Sequence, residues 1–233
     1  MTYSFNFCSK SAISLATFVE RIKSHYTGPD CLDRKHVNFF ALQLQLLANN
    51  KYFLTDLVCD NVLKETLKIE SGNTYANDSW VIYINKSPFF QVRVCFWHSD
   101  GEKQCQNDKL NVYRCLHDHN FAFLTTNYFG PGYISRLFQY DYSDELEEGC
   151  DSCLQSLGSH QLSSGEVIYY EPSKDAHLQV PPKAFSISLN LMFETNGNKQ
   201  FVFDIETGRI VHTVISSDAI AKQFIKELVD DAV

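Results

Sequence analysis

His117-Asp118-His119-Asn120-Phe121, answered much later by Gly165, Glu171-Pro172 and His177, is the stretch on which the reading of this chain turns. In an extended segment, residues i and i+2 point to one face, so His117 and His119 look the same way. A third histidine, His177, arriving from a distant strand, can close three corners around one divalent metal. Asp118 alternates away from both and is not a ligand candidate. Phe121 and Phe123 are expected to continue the inward face before Gly130-Pro131-Gly132 turns the chain back. Neutral imidazoles on such an apolar face are costly unless hydrogen-bonded or coordinated.

Outward from this core the texture is that of short strands. Ser79 to Asn85 and Phe89 to Trp97 are β-type runs joined at Asn85-Lys86-Ser87-Pro88. Further strands are expected at Val112–Leu116, Phe121–Phe129, Tyr133–Tyr140, Val167–Tyr170, Ala184–Phe193, Phe201–Asp204 and Arg209–Val214. Turn signals at Asn196-Gly197-Asn198 and Thr207-Gly208 punctuate them, a pattern that argues for a β-sandwich or barrel. Upstream, the apolar spacing predicts helices over Ser11–Tyr26, Val37–Leu47 and Asp56–Ile69. Asp218–Val229 reads as a closing amphipathic helix with Asp218 as its cap. The expected organisation is a helical N-terminal extension over 1–75 packing on the barrel, a barrel over 76–215, and a C-terminal helix over 216–233.

Bulk composition narrows the function. Of 233 residues, 44% are hydrophobic and 14% aromatic, with eighteen Phe and twelve Tyr, which excludes a disordered chain and favours a β-rich interior. A net charge of −8 argues against a nucleic-acid or anionic-membrane partner, since both need a basic surface. There is neither a secretory h-region nor a stretch of membrane-span length, and the eight cysteines read as reduced thiols, so a cytoplasmic location is expected. Asp141 to Gln161 reads as a solvated acidic loop. Within it, Cys150-x-x-Cys153 has no second pair to complete a zinc site.

The histidine segments resemble the cupin superfamily, small double-stranded β-helix (jelly-roll) barrels. The first cupin motif runs Gly, five residues, His-x-His, three or four residues, Glu, six residues, Gly. His117, His119 and Gly130 match it, whereas Asn111 replaces the opening Gly and Phe123 or Leu124 stands at the Glu. In the second motif Pro172 and His177 match. Gly165 lies one residue too far, Lys174 replaces the inner Gly, and Pro181 the closing Asn. The resemblance covers roughly Ser79 to Val214. It implies a mainly β fold, a cupin barrel with N-terminal helices and a C-terminal helix, and a metal held by His117, His119 and His177.

Without the glutamate the site is similar to the neutral three-histidine centres of thiol dioxygenases such as cysteine dioxygenase. That family's His-Asp-His triplet matches literally. Its substrate-carboxylate arginine, about two dozen residues upstream, falls at Arg93 in Phe90-Gln91-Val92-Arg93-Val94. Its crosslinking cysteine is replaced by Leu124, and Met192, Phe193 and Glu194 stand near its tyrosine, so sulfur oxidation does not carry over. The alternative reading of Arg93 is an edge-strand residue facing water.

Asn190 shares a strand face with Ser186 and Ser188. Inward, these three would form a polar wall beside the metal; outward, they would leave Ile187, Leu189 and Leu191 in the core, and this second arrangement is expected. Asn190, Arg136 and Tyr140 are carried with Arg93 as substrate-binding candidates, and Tyr142 as a further group near them. His98, His160 and His212 read as surface residues.

The function expected from this set is a mononuclear non-haem Fe(II) oxygenase acting on a small, anionic organic substrate with O2. Zinc, nickel or manganese in a non-redox isomerase, lyase or hydrolase is the alternative, and a cupin small-molecule-binding module without metal is the third reading. The helical part is available to form a lid or a homodimer contact.

Overall fold

In the computed structural model, residues 2–63, 79–99, 115–195 and 199–215 are described. The expected C-terminal helix, the 196–198 turn and most of the lead-in to His117 lie outside them.

The chain opens with β1 (Tyr3–Asn6), followed by α1 (Leu15–His25), a single 3-10 turn at Pro29–Cys31, α2 (Arg34–Asn49) and α3 (Phe53–Leu63). Both of the first two helices start at side-chain caps. Ser14 Oγ accepts from Thr17 N at 3.1 Å, and Asp33 Oδ1 accepts from His36 N at 2.9 Å, each satisfying a first-turn amide that has no helical partner.

Eleven strands follow: β2 (Ser79–Lys86), β3 (Phe89–Trp97), β4 (Leu116–Asp118), β5 (Ala122–Phe129), β6 (Ile134–Gln139), β7 (Gln155–Gln161), β8 (Glu166–Tyr170), β9 (Asp175–Val180), β10 (Ser186–Phe193), β11 (Lys199–Phe203) and β12 (Ile210–Ile215). The fold is mainly β. One six-stranded sheet has the order β1-β8-β5-β10-β3-β2 and the other β12-β11-β4-β9-β6-β7. The central pairings nest: β3 with β10, β4 with β9, β5 with β8 and β6 with β7, all antiparallel. A long hairpin rolled over itself gives this pattern, which is the double-stranded β-helix that the cupin resemblance implies.

The helices cover the outer face of the first sheet. Phe18, Ile22, Phe40, Leu44 and Leu47 pack with Phe90, Val92, Val94, Leu124, Val167, Leu189, Leu191 and Phe193 in one core cluster. Each such large apolar side chain contributes about 1.5–3 kcal/mol of transfer free energy. A second cluster between the sheets joins Trp97, Phe123, Tyr133, Leu162, Ile168, Tyr170 and Met192. A third lies outside the other sheet, where Tyr142, Leu146, Cys150 and Leu154 pack on Leu116, Tyr140, Phe201 and Phe203.

Three sequence expectations change here. The acidic stretch from Asp141 is no free loop: its apolar residues seal one sheet, and its end becomes the edge strand β7. β7 escapes notice because it is exposed along almost its whole length and carries no apolar alternation. The N-terminal segment also contributes β1, paired with β8 at the margin of the helix-covered sheet. Finally, Phe121 does not continue the histidine strand. The chain leaves one sheet after Asp118 and enters the other at Ala122.

Candidate metal centre

β4 and β9 place His117 directly opposite His177 in register. His119 follows where the chain crosses between the sheets, so its ring reaches the same space from the strand end. The ring centroids of the three histidines lie 4.8–5.1 Å apart, near-perpendicular to one another. One nitrogen from each falls within 4.8 Å of the others.

His117 Nδ1 donates to the Cys115 carbonyl at 3.0 Å, which fixes its tautomer and turns the Nε2 lone pair inward. His119 Nε2 and His177 Nε2 face each other at 3.3 Å. Burial is the main force holding all three imidazoles below the ordinary histidine range. Neighbouring rings add to it for His119 and His177, and Arg93 adds to it for His119. They are therefore neutral, with lone pairs to give.

The donor set fits a divalent ion. Nitrogens cis to one another at about 2.1 Å from a shared ion lie about 3.0–3.4 Å apart for angles between octahedral and tetrahedral. The His119–His177 separation falls inside that span. The widest gap exceeds it, and imidazole torsions can close the difference. The Nδ1 atoms of His119 and His177 are buried without a partner among the described residues, so these rings are not explained as satisfied core histidines.

Phe123 occupies the position of the missing glutamate. Its ring stacks on Tyr170 at 4.6 Å and meets His119 edge-on at 4.9 Å. An aromatic wall thus stands where a carboxylate would lower the charge of the centre.

Arg93 lies on the inter-sheet face of β3 in register with Asn190 of β10, and its charge acts on His119. Burial lowers the pKa of its guanidinium, and only the neighbouring Cys95 thiol, not a carboxylate, acts against that among the described residues. With its amide oxygen turned to Arg93, Gln91 accepts from Nε at 3.3 Å and from Nη2 at 2.8 Å. Beside it the Cys95 thiol is pushed up to about 11, chiefly by burial.

Asn190, with Ser186 and Ser188, faces inward, contrary to expectation. Asn190 Oδ1 accepts from Thr125 Oγ1 at 2.7 Å, and its Nδ2 donates to Cys95 Sγ at 3.3 Å. Ser188 Oγ accepts from Trp97 Nε1 at 2.9 Å. The choice between the two faces of β10 is a false one, because helices cover the other face and Leu189 and Leu191 are buried there too.

The remaining candidates stand elsewhere. Arg136 is exposed, whereas its neighbour Ser135 points inward and accepts from Tyr170 OH at 3.2 Å. Tyr140 is buried on the outer side of its sheet, bonded to Asp118. Tyr142 bonds Asp144 there too. His160 is more than a surface residue, since its Nε2 lies 2.8 Å from the buried Glu166 carboxylate. His212 pairs with exposed Glu148, as a surface histidine does. Sequence reasoning passed over Gln179, Cys95, Trp97 and Thr125. The period of two was the available signal: Cys95 and Trp97 share the face of Arg93, and Gln179 that of His177.

No known family model matches the sequence, and no curated relative does. Some solved structures are similar in part. RmlC from Streptococcus suis in complex with dTDP-D-xylose is 13% identical over 46% of this chain and 44% of its own, with a TM-score of 0.28. The DMSP lyase DddQ from Ruegeria pomeroyi is 11% identical over 62% and 59%, at 0.30. A salicylate 1,2-dioxygenase from Pseudaminobacter salicylatoxidans is 11% identical over 60% and 33%, at 0.32. This chain spans less than two thirds of each of these proteins. The fold assignment rests on the strand order.

Proposed function

We propose that this chain is a mononuclear non-haem Fe(II) oxygenase acting on a small anionic organic substrate with O2. The observation that carries the reading is the convergence of three neutral imidazoles, with no carboxylate among them, beside a desolvated guanidinium. His117, His119 and His177 would hold the ion, which supplies open coordination positions for substrate and O2 when bound. Arg93 would receive the substrate's anionic group as a paired donor, held in aim by Gln91. Asn190 and Thr125 would orient its polar part, while Phe123, Tyr170 and Trp97 exclude water.

A non-redox metal enzyme is the second reading, because a neutral histidine set also suits zinc as a Lewis acid. No helix among the described residues is long and apolar enough to cross a membrane. A cytoplasmic location and a homodimer are part of the proposal.

Elemental analysis of untagged protein, followed by oxygen-uptake assays over small carboxylates and thiols, tests the reading. Stoichiometric iron with substrate-dependent uptake is expected. Zinc or nickel, with no uptake after iron reconstitution, overturns it in favour of the non-redox enzyme. No metal even after anaerobic Fe(II) addition leaves a binding module.

A further inference from the structure

Gln179 follows His177 by two residues on β9, so both side chains leave the same face of the strand. It is 5% exposed, and its amide Nε2 donates to His177 Nε2 at 2.7 Å. That is the nitrogen through which His177 faces His119. One imidazole lone pair cannot serve an N–H donor and an ion together. With an ion bound, the amide must therefore give up this bond while it remains buried. Its other end already lacks a role, since Gln179 Oε1 is buried without a partner among the described residues.

We infer that Gln179 is a fourth protein ligand of the centre, giving its amide oxygen to the ion that the three histidines hold; this rests on the metal reading above. A half-turn about the terminal torsion exchanges the amide nitrogen for the oxygen. The oxygen then takes the place of the nitrogen, which lies 2.7 Å from His177 Nε2. A small shift brings it to the spacing of about 3.0 Å between two cis ligands each about 2.1 Å from an ion.

No described carboxylate competes for the place. Asp118 is engaged on the far side of its sheet by Tyr140 and the Phe201 amide. Glu166 is paired with His160, and Asp175 accepts from Gln139 and the Glu171 amide. Leu124, one of the two residues at the expected glutamate position, packs toward the helices. An amide oxygen adds a ligand without adding charge. The centre keeps the full charge of its ion, and an anionic substrate is attracted more strongly than by a site with a carboxylate.

Cobalt(II) titration of the metal-free full chain, read by visible absorption and by chelator competition, tests this without any turnover. Gln179→Leu is expected to weaken cobalt binding about 10–100-fold, on the scale of lost support around a metal. It should also change the visible bands as the ligand set changes. Gln179→Asn keeps the amide but falls one methylene short, so it should weaken binding as well. It carries the test if the leucine variant does not fold. Gln179→Glu should restore affinity. If the leucine or asparagine variant binds as tightly as the parent, or more tightly, with unchanged bands, Gln179 merely competes for the His177 lone pair and the inference falls alone. If the parent binds no cobalt, the metal reading falls and takes the inference with it.

Discussion

Tyr140 donates a 2.5 Å hydrogen bond to Asp118 Oδ2 on the side of the sheet opposite the histidines. Asp118 Oδ1 accepts from the Phe201 amide, also at 2.5 Å. The residue between the two histidines is thus fastened at once to β11 and to the segment that follows β6, which sets the orientation of β4. Tyr140→Phe leaves a fully buried carboxyl short of one donor and should cost about 1–3 kcal/mol in urea unfolding. Tyr142→Phe, at an exposed pair with Asp144, should stay within about 0.5 kcal/mol. Equal effects would show that the Asp118 contact has no special weight.

His177→Ala should abolish stoichiometric metal binding while the folded chain persists, as read by elemental analysis beside a melting curve. A full metal complement in the variant would remove His177 from the centre.

Arg93→Ala should raise the substrate KM and leave metal content unchanged. Arg93→Lys should recover only part of the loss, because an ammonium does not offer the paired donors of a guanidinium. A variant that no longer folds, with Lys restoring stability in full, would mark Arg93 as structural.

Gly132 has φ +79, and a Cβ there would run into the Leu162 carbonyl oxygen. Its amide donates to Ser186 Oγ at 3.1 Å, tying the turn after β5 to the start of β10. Gly132→Ala should destabilise by about 2 kcal/mol or more, measured by thermal unfolding. Gly149→Ala shares a positive φ but has open space around it, so it should cost less.

Asp33 caps α2, and its hydrogen bonds to the His36 amide and imidazole lower its pKa. A folded-state pKa below the unfolded one means that the cap stabilises above the ordinary carboxylate range. The stabilisation disappears as pH falls through the folded value. Asp33→Ala should therefore lower Tm at neutral pH, and the gap from the parent should close below about pH 3.9. A gap independent of pH would assign the effect to helix propensity instead.

Much of this architecture was legible because strands such as β3 and β10 are buried on both faces and read as dense apolar runs. The same double burial hid the direction of Asn190: apolar alternation says which residues share a face, not which face meets a ligand. β7 was invisible because an exposed edge needs no apolar signature. β9 alternates Asp175, His177 and Gln179 on one face with Ala176, Leu178 and Val180 on the other, and its apolar face is the outer one, so the period of two does not reveal which face meets the site. Arg93 lies in the interior, whereas Arg136 is exposed and Tyr140 packs on the outer side of its sheet, since closeness along the chain to a Gly-Pro-Gly turn does not decide which side of a sheet a residue takes.

The nested pairing has a consequence for how the molecule is made. Phe90 pairs with Phe193, about a hundred residues later, and β10 separates β3 from β5. At about 5–20 residues per second on the ribosome, β3 waits some 5–20 s for the strand that joins it to the rest of its sheet. During that interval its apolar face has the N-terminal helices, already synthesised, as its available cover. Their first service is then to shelter an unfinished chain, before any barrel exists to be capped.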